Sequence, residues 1–146
     1  MKKIQLTLLS FFLSTVLVIA QTNIEKTLVK SFNLKGSQEI TLNLEGDIDV
    51  QERVGEIVRV QMTIGVAGSE AMLKSLITAG RYNLKMQDTE NGPLIDSPGL
   101  QREITVRGSK LVETISYVVY VPENVTVKYG SEAASDITEP TGPAAF

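Results

Sequence analysis

Cysteine, histidine and tryptophan are all missing from this sequence, and aromatic rings come from four Tyr and four Phe alone. Without thiols there are no disulfides, no thiolate nucleophiles and, with His also gone, no Cys/His metal centre. Without imidazole there is no Ser-His-Asp triad and no histidine general base. Any catalysis would fall to carboxylates, Lys, Tyr or a Ser–Lys pair, so the reading is a protein that is not an enzyme. Gly-x-Gly-x-x-Gly and P-loop patterns are absent as well, so no nucleotide cofactor is expected, nor any other. Basic charge is also short: 14 Lys and Arg against 17 Asp and Glu, a net charge of −3, with 5% aromatics. Such a chain has neither the field nor the stacking surface for nucleic acid.

What is present describes a globular protein. Hydrophobic residues make up 42% and charged residues 21% of 146 positions, enough for one domain with its own core. Residues 1–20 have the layout of a secretory signal peptide. Lys2 and Lys3 open it, an apolar run from Leu8 to Ile19 follows, and Val18-Ile19-Ala20 suits cleavage before Gln21. The run is shorter than the ~20 residues a membrane helix needs. Membrane contact is therefore expected only through an uncleaved signal peptide. No Cys follows, which closes the lipoprotein route. The mature protein is expected to be exported, whether periplasmic, cell-surface or secreted. Residues 21–130 form the expected β-rich domain, and 131–146, rich in Ala, Ser and Pro, a loosely ordered tail.

The domain is organised around Ile57–Val66. Val58, Val60, Met62, Ile64 and Val66 occupy every second position, with Arg59, Gln61 and Thr63 between them, the rhythm of a strand with one buried face. Before it, Leu28–Leu34, Ile40–Leu44 and Ile48–Val50 repeat the rhythm between turns at Lys35-Gly36-Ser37 and Glu45-Gly46-Asp47. This spacing favours short antiparallel strands or stacked rungs over βαβ units. After it, Ser69 suits a helix N-cap, and Met72, Leu73, Leu76 and Ile77 recur at helical spacing before Gly80. One amphipathic helix over 69–79, packed on the sheet, is the expectation. Tyr82, Leu84 and Met86 then read as a strand and Asp88–Gln101 as a long irregular stretch. Ile104–Val106 comes next, followed by Ile115–Val121, a strand apolar enough to be buried on both faces, and Val125–Val127. The fold class is mainly β, either a short-strand sandwich or the start of a β-solenoid.

Few constellations suggest chemistry. Asp47 and Asp49 share one strand face and offer oxygens that calcium favours, but a solvated face beside a tight turn explains them without a ligand. Asp88, Glu90 and Asp96 lie on the long loop with nothing to fix their spacing. Lys74 near Ser69 and Ser75 lacks Ser-x-x-Lys order. Tyr117 and Tyr120 point to opposite faces of one strand. No catalytic, cofactor-binding or metal residue is assigned.

The run Gly46-Asp47-Ile48-Asp49-Val50, the strand Val58–Val66, the helix Glu70–Ala79 and the passage Tyr117–Val127 with its break at Pro122 follow in a recognisable order. This order resembles secreted bacterial proteins known as "putative adhesins", which are built from repeated short β-strands. In that family the passage after the proline continues through more Gly-x-Ile-x-Val rungs, whereas this chain departs from the pattern near Tyr129-Gly130. The resemblance therefore covers the family's N-terminal portion, with the C-terminal strand ladder missing. It implies a structural or binding module without catalytic residues, and a last strand whose open edge invites self-association or a protein partner. The alternatives are a small-ligand carrier with an apolar pocket, a carboxylate-based hydrolase and an outer-membrane barrel. Phe146 would suit the barrel, but Pro140 and Pro143 would disrupt its final strand.

Overall fold

The computed structural model describes residues 23–130, so the signal-peptide and tail assignments lie outside the described residues. The organising stretch is strand β4 (Ile57–Ala67), following β1 (Asn23–Asn33), β2 (Glu39–Asn43) and β3 (Asp47–Arg53). Helix α1 (Glu70–Thr78) leads to β5 (Lys85–Thr89) and β6 (Gly92–Asp96). The two-residue strands β7 (Thr105–Val106) and β8 (Ser109–Lys110) come next, then β9 (Glu113–Pro122) and β10 (Thr126–Tyr129). The protein is mainly β with one short helix, and no sheet closes into a barrel among the described residues.

Two four-stranded sheets share one core. The first has the order β1-β4-β9-β3 and the second β10-β2-β6-β5, with β7-β8 as a separate small hairpin. In the first sheet the register lines up Leu28, Met62, Tyr117 and Ile48 in one inward row. In the second it lines up Tyr129, Leu42, Ile95 and Met86. At the centre of these rows Met62, Tyr117, Leu42 and Ile95 are at most 1% exposed, whereas the edge members are only half-buried or exposed. All five alternating residues of β4, Val58 to Val66, are buried as their rhythm requires.

Pairing is mixed, not purely antiparallel. β1–β4, β4–β9 and β5–β6 run antiparallel, while β2–β6, β10–β2 and β3–β9 run parallel. The chain also crosses between sheets through short links: residues 44–46 carry it from β2 to β3, and 123–125 from β9 to β10. The result is a pair of mixed sheets around one shared core. Gly46 makes the first crossing possible. It sits at φ +124°, and a Cβ there would drive into the Ile115 carbonyl of β9.

Helix α1 forms as expected. Ser69 Oγ accepts a hydrogen bond from the Met72 amide at 3.2 Å, Glu70 sits in the first turn, and Gly80 follows the end at φ +80°. Leu73 is its buried residue, and Met72, Leu76 and Ile77 flank it against the core.

Four expectations need correction. Asp88–Gln101 is not one irregular stretch: β5 and β6 form a hairpin there, with Pro93 opposite Asp88 and Ile95 in the core. Its turn residues obscured a short Leu94-Ile95 apolar pair. Tyr82 and Leu84 are buried but precede the strand, which begins at Lys85. β9 is not buried on both faces, because Val118 and Tyr120 point to the half-covered outer side of the sheet. The first strand starts at Asn23, whose polar lead pairs with Gly65–Ala67.

The packing argument has a direct check. Met62→Ala empties a site that is 0% exposed and should lower unfolding free energy by about 2–5 kcal/mol in urea titration. Val54→Ala removes a side chain that is 81% exposed and should stay within about 0.5 kcal/mol of the parent.

Candidate functional site

The densest polar cluster in the described residues joins three segments distant in sequence. Arg81 follows the end of α1, Glu113 opens β9, and residues 97–104 run between them. Side chains of Arg81 and Glu113 are 8% and 9% exposed. Arg81 Nε donates to Glu113 Oε1 and Oε2 at 2.9 and 3.0 Å, and Arg81 Nη2 also pairs with Oε2. The remaining guanidinium nitrogen donates to the carbonyls of Gly99 (3.0 Å) and Arg102 (2.8 Å), while the Tyr82 hydroxyl donates to Glu113 Oε1. Gly99 packs on the Arg81 backbone so closely that any Cβ would clash with it.

Electrostatics here favour a fixed ion pair. Burial alone pushes the Glu113 carboxyl up, but hydrogen bonds from Arg81 and Tyr82 and the guanidinium charge outweigh it, leaving the pKa below the ordinary value. Arg81 is held more firmly protonated, chiefly by its hydrogen bond to Glu113. Burial and the Glu113 contact both raise the Tyr82 pKa, so its hydroxyl stays a donor. With both oxygens occupied and its charged form favoured, Glu113 is poorly suited to proton transfer.

Segment 97–104 separates two open grooves of about 460 and 440 Å³. Glu45, Glu103 and Glu113 all line the second one. Glu113 is committed as described, and Glu103 forms an ion pair with Lys110 that lowers its pKa. The apolar set expected to line a carrier's pocket fills the core instead, since Ile40, Leu42, Met62, Ile64 and Ile95 are all fully buried.

The acids singled out in the sequence do not come together. Asp47 and Asp49 are exposed on the outer side of β3, where Gln51 Nε2 donates to Asp49 Oδ2 at 2.7 Å. Asp88 pairs with Lys35 at 3.3 Å, and Asp96 accepts from Gln87 at 3.0 Å. No group of three or more Asp and Glu able to hold a metal occurs among the described residues. Ser69 is occupied as the helix cap. Tyr117 faces the core and Tyr120 the outer side, as alternation requires; burial lifts the Tyr117 pKa to about 12. Sequence reasoning missed the Arg81–Glu113–Tyr82 cluster. Arg81 alternates with apolar neighbours and so reads as an outward residue, and its partner lies 32 positions away.

The strand edges are the other available feature. At one end of the molecule the edges are β1 and β5, and two lysines tie them together. Lys30, on the inward face of β1, donates to the Leu84 carbonyl at 2.6 Å, and Lys35 pairs with Asp88. The opposite end exposes the edges of β3 and β10, and no such tie spans them among the described residues.

Glu113 makes stability depend on acid. Its folded pKa is depressed, so its contribution is complete above the ordinary carboxylate value of about 4.3 and is lost as pH falls through the folded value. Glu113→Gln should cost about 3 kcal/mol at pH 7 by leaving Arg81 buried without its counter-charge. Between pH 5 and 3, urea titration should show a flatter decline for the variant than for the parent.

No family model matches the chain, and no curated protein matches it. Among solved structures it is similar to the crystal structure of a "putative cell adhesion protein" from Clostridium sporogenes, at 12% identity and a TM-score of 0.41. That similarity covers 73% of this chain and 46% of the other, so the chain spans about half the length of that protein.

Proposed function

We propose that this is an exported, non-enzymatic structural or binding module, adhesin-like in working through its surface and strand edges. The observation that carries the reading is how the polar groups are used. Buried Arg81 and Glu113 neutralise each other and fasten a loop, which commits the densest charged cluster to architecture. Backbone edges of β3 and β10 remain as the recognition surface, because a strand edge offers unsatisfied N–H and C=O groups to an incoming chain. The signal-peptide pattern of residues 1–20 and the family resemblance support export.

Expression of the full chain in a bacterial host tests export. The expected product begins at Gln21 and is found outside the cytoplasm; an unprocessed cytoplasmic product overturns the export reading. For the binding role, beads coated with the mature protein should attach to cells or matrix proteins above albumin-coated beads. Attachment equal to albumin overturns it.

A further inference from the structure

The two ends of the sandwich differ in how they treat a second chain. On β1, pairing all of Asn23–Asn33 antiparallel with another copy centres the two-fold axis on Leu28. Lys26 then lies opposite the partner's Lys30 on the inward face, where like charges meet. Inward-pointing lysines are a known guard against edge pairing, and Lys30 is already engaged with the Leu84 carbonyl. On β5, the same operation centres on Gln87 and sets Met86 against the partner's Asp88, a carboxylate already paired with Lys35. That end is protected.

The β3 edge has no lysine tie to the other sheet among the described residues. Antiparallel pairing over Asp47–Arg53 centres on Val50. Asp47 then faces the partner's Arg53, and Asp49 faces the partner's Gln51. The second contact repeats between chains the amide-to-carboxylate hydrogen bond that Gln51 makes to Asp49 within the strand. Directly opposed residues of an antiparallel pair share a face. Asp47, Asp49, Gln51 and Arg53 therefore stay on the solvent side, and Val50 meets the partner's Val50 on the inward side. Ile48 and Val50 are only half-buried at this edge. Nearby, Val127 and Tyr129 of β10 extend the second sheet's inward rows beyond Ile40 and Leu42, and Tyr129 is 37% exposed. A second copy would continue the Val50 row, while Ile48 would lie opposite the partner's exposed Glu52 at the rim of the pairing.

We propose that the β3 edge is the site of a two-fold homodimer, with β3 pairing antiparallel to its copy in the register centred on Val50. This rests on the reading that the domain acts through strand edges, and it names the edge, the occupant and the register. A second copy matches five of the seven positions by symmetry, Asp47 with Arg53, Asp49 with Gln51 and Val50 with itself, whereas a partner of different sequence would do so only by coincidence.

Sedimentation equilibrium of the full mature chain over a wide concentration range, with charge-reversed variants, tests it. A monomer–dimer equilibrium weakened by salt is expected. Asp47→Arg and Arg53→Asp each place like charges opposite one another twice in the dimer and should weaken it by about tenfold. The double variant Asp47→Arg/Arg53→Asp restores both pairs and should return dimerisation to near the parent value. Both residues are exposed, so circular dichroism should report an unchanged fold. A parent that stays monomeric overturns the proposal. If removing residues 131–146 then permits dimerisation, the occupant of this edge in the full chain is its own tail. Singles that dimerise as well as the parent, or a double variant without rescue, overturn the register. A monomeric Arg53→Asp that still attaches beads to cells separates the dimer from the binding role, because that role would then survive alone.

Discussion

The structure depends on one inward row of side chains being shared by two sheets. Neither sheet is wide enough to bury an apolar face alone, since each is four strands and has two edge strands. Packed face to face, they bring Val58 through Val66 of β4 and Val119 of β9 against Ile40 and Leu42 of β2 and Ile95 of β6. Hydrophobic burial acts at about 25 cal/mol per Å² and without direction, so what it selects is the set of registers that keep this row together. A slip of one residue in β4 would turn Arg59, Gln61 and Thr63 inward. The crossing through residues 44–46, which requires Gly46 to pass close under the Ile115 carbonyl, follows from the same demand: β2 and β3 must lie in different sheets a few residues apart.

A domain without disulfides must hold its long connections by other means. Here the segment from 97 to 104 has little regular structure, yet it is fixed by two carbonyl contacts from a single guanidinium. Arg suits this task because its planar fork can grip a carboxylate and still present donors on the other side. A buried ion pair adds little net stability against an apolar replacement, because removing both charges from water is costly. Its value is geometric: Arg81 joins the end of the helix, the connecting segment and the start of β9 at one point. That commitment sets Glu113 apart from a catalytic carboxylate, which needs a free oxygen and a pKa moved towards neutrality.

Legibility in the sequence followed the range of the interactions. Local rhythm made β4, β2, β3 and the helix readable, because alternation and the Ser69 and Gly80 signals are properties of neighbouring residues. The β5–β6 hairpin was obscured because Asn91-Gly92-Pro93 and Ser97-Pro98-Gly99 surround an apolar pair too short to show a period. Parallel pairing of β2 with β6 and β10 was not legible, since nothing in a strand's own residues distinguishes the direction of its neighbour. The buried cluster was hidden for a related reason. Arg81 and Glu113 look like ordinary surface charges until the fold removes both from water, and the pattern that joins them is spatial.

With neither cysteine nor histidine in the chain, the recognition device of the proposed function is the backbone of its strand edges. Every strand edge offers it, so specificity has to come from which edges are closed. At the β1–β5 end, Lys30 and Lys35 cross from one sheet to the other, and an approaching strand would have to displace them or meet Lys26. At the β3–β10 end, the polar row Asp47, Asp49, Gln51 and Arg53 runs from acidic to basic along a single strand. An edge guarded by uniform charge repels every copy of itself, whereas an edge whose charge changes sign from end to end repels parallel copies and accepts an antiparallel one. In the proposed dimer, the selectivity of the open end is written in the order of four side chains that never enter the core.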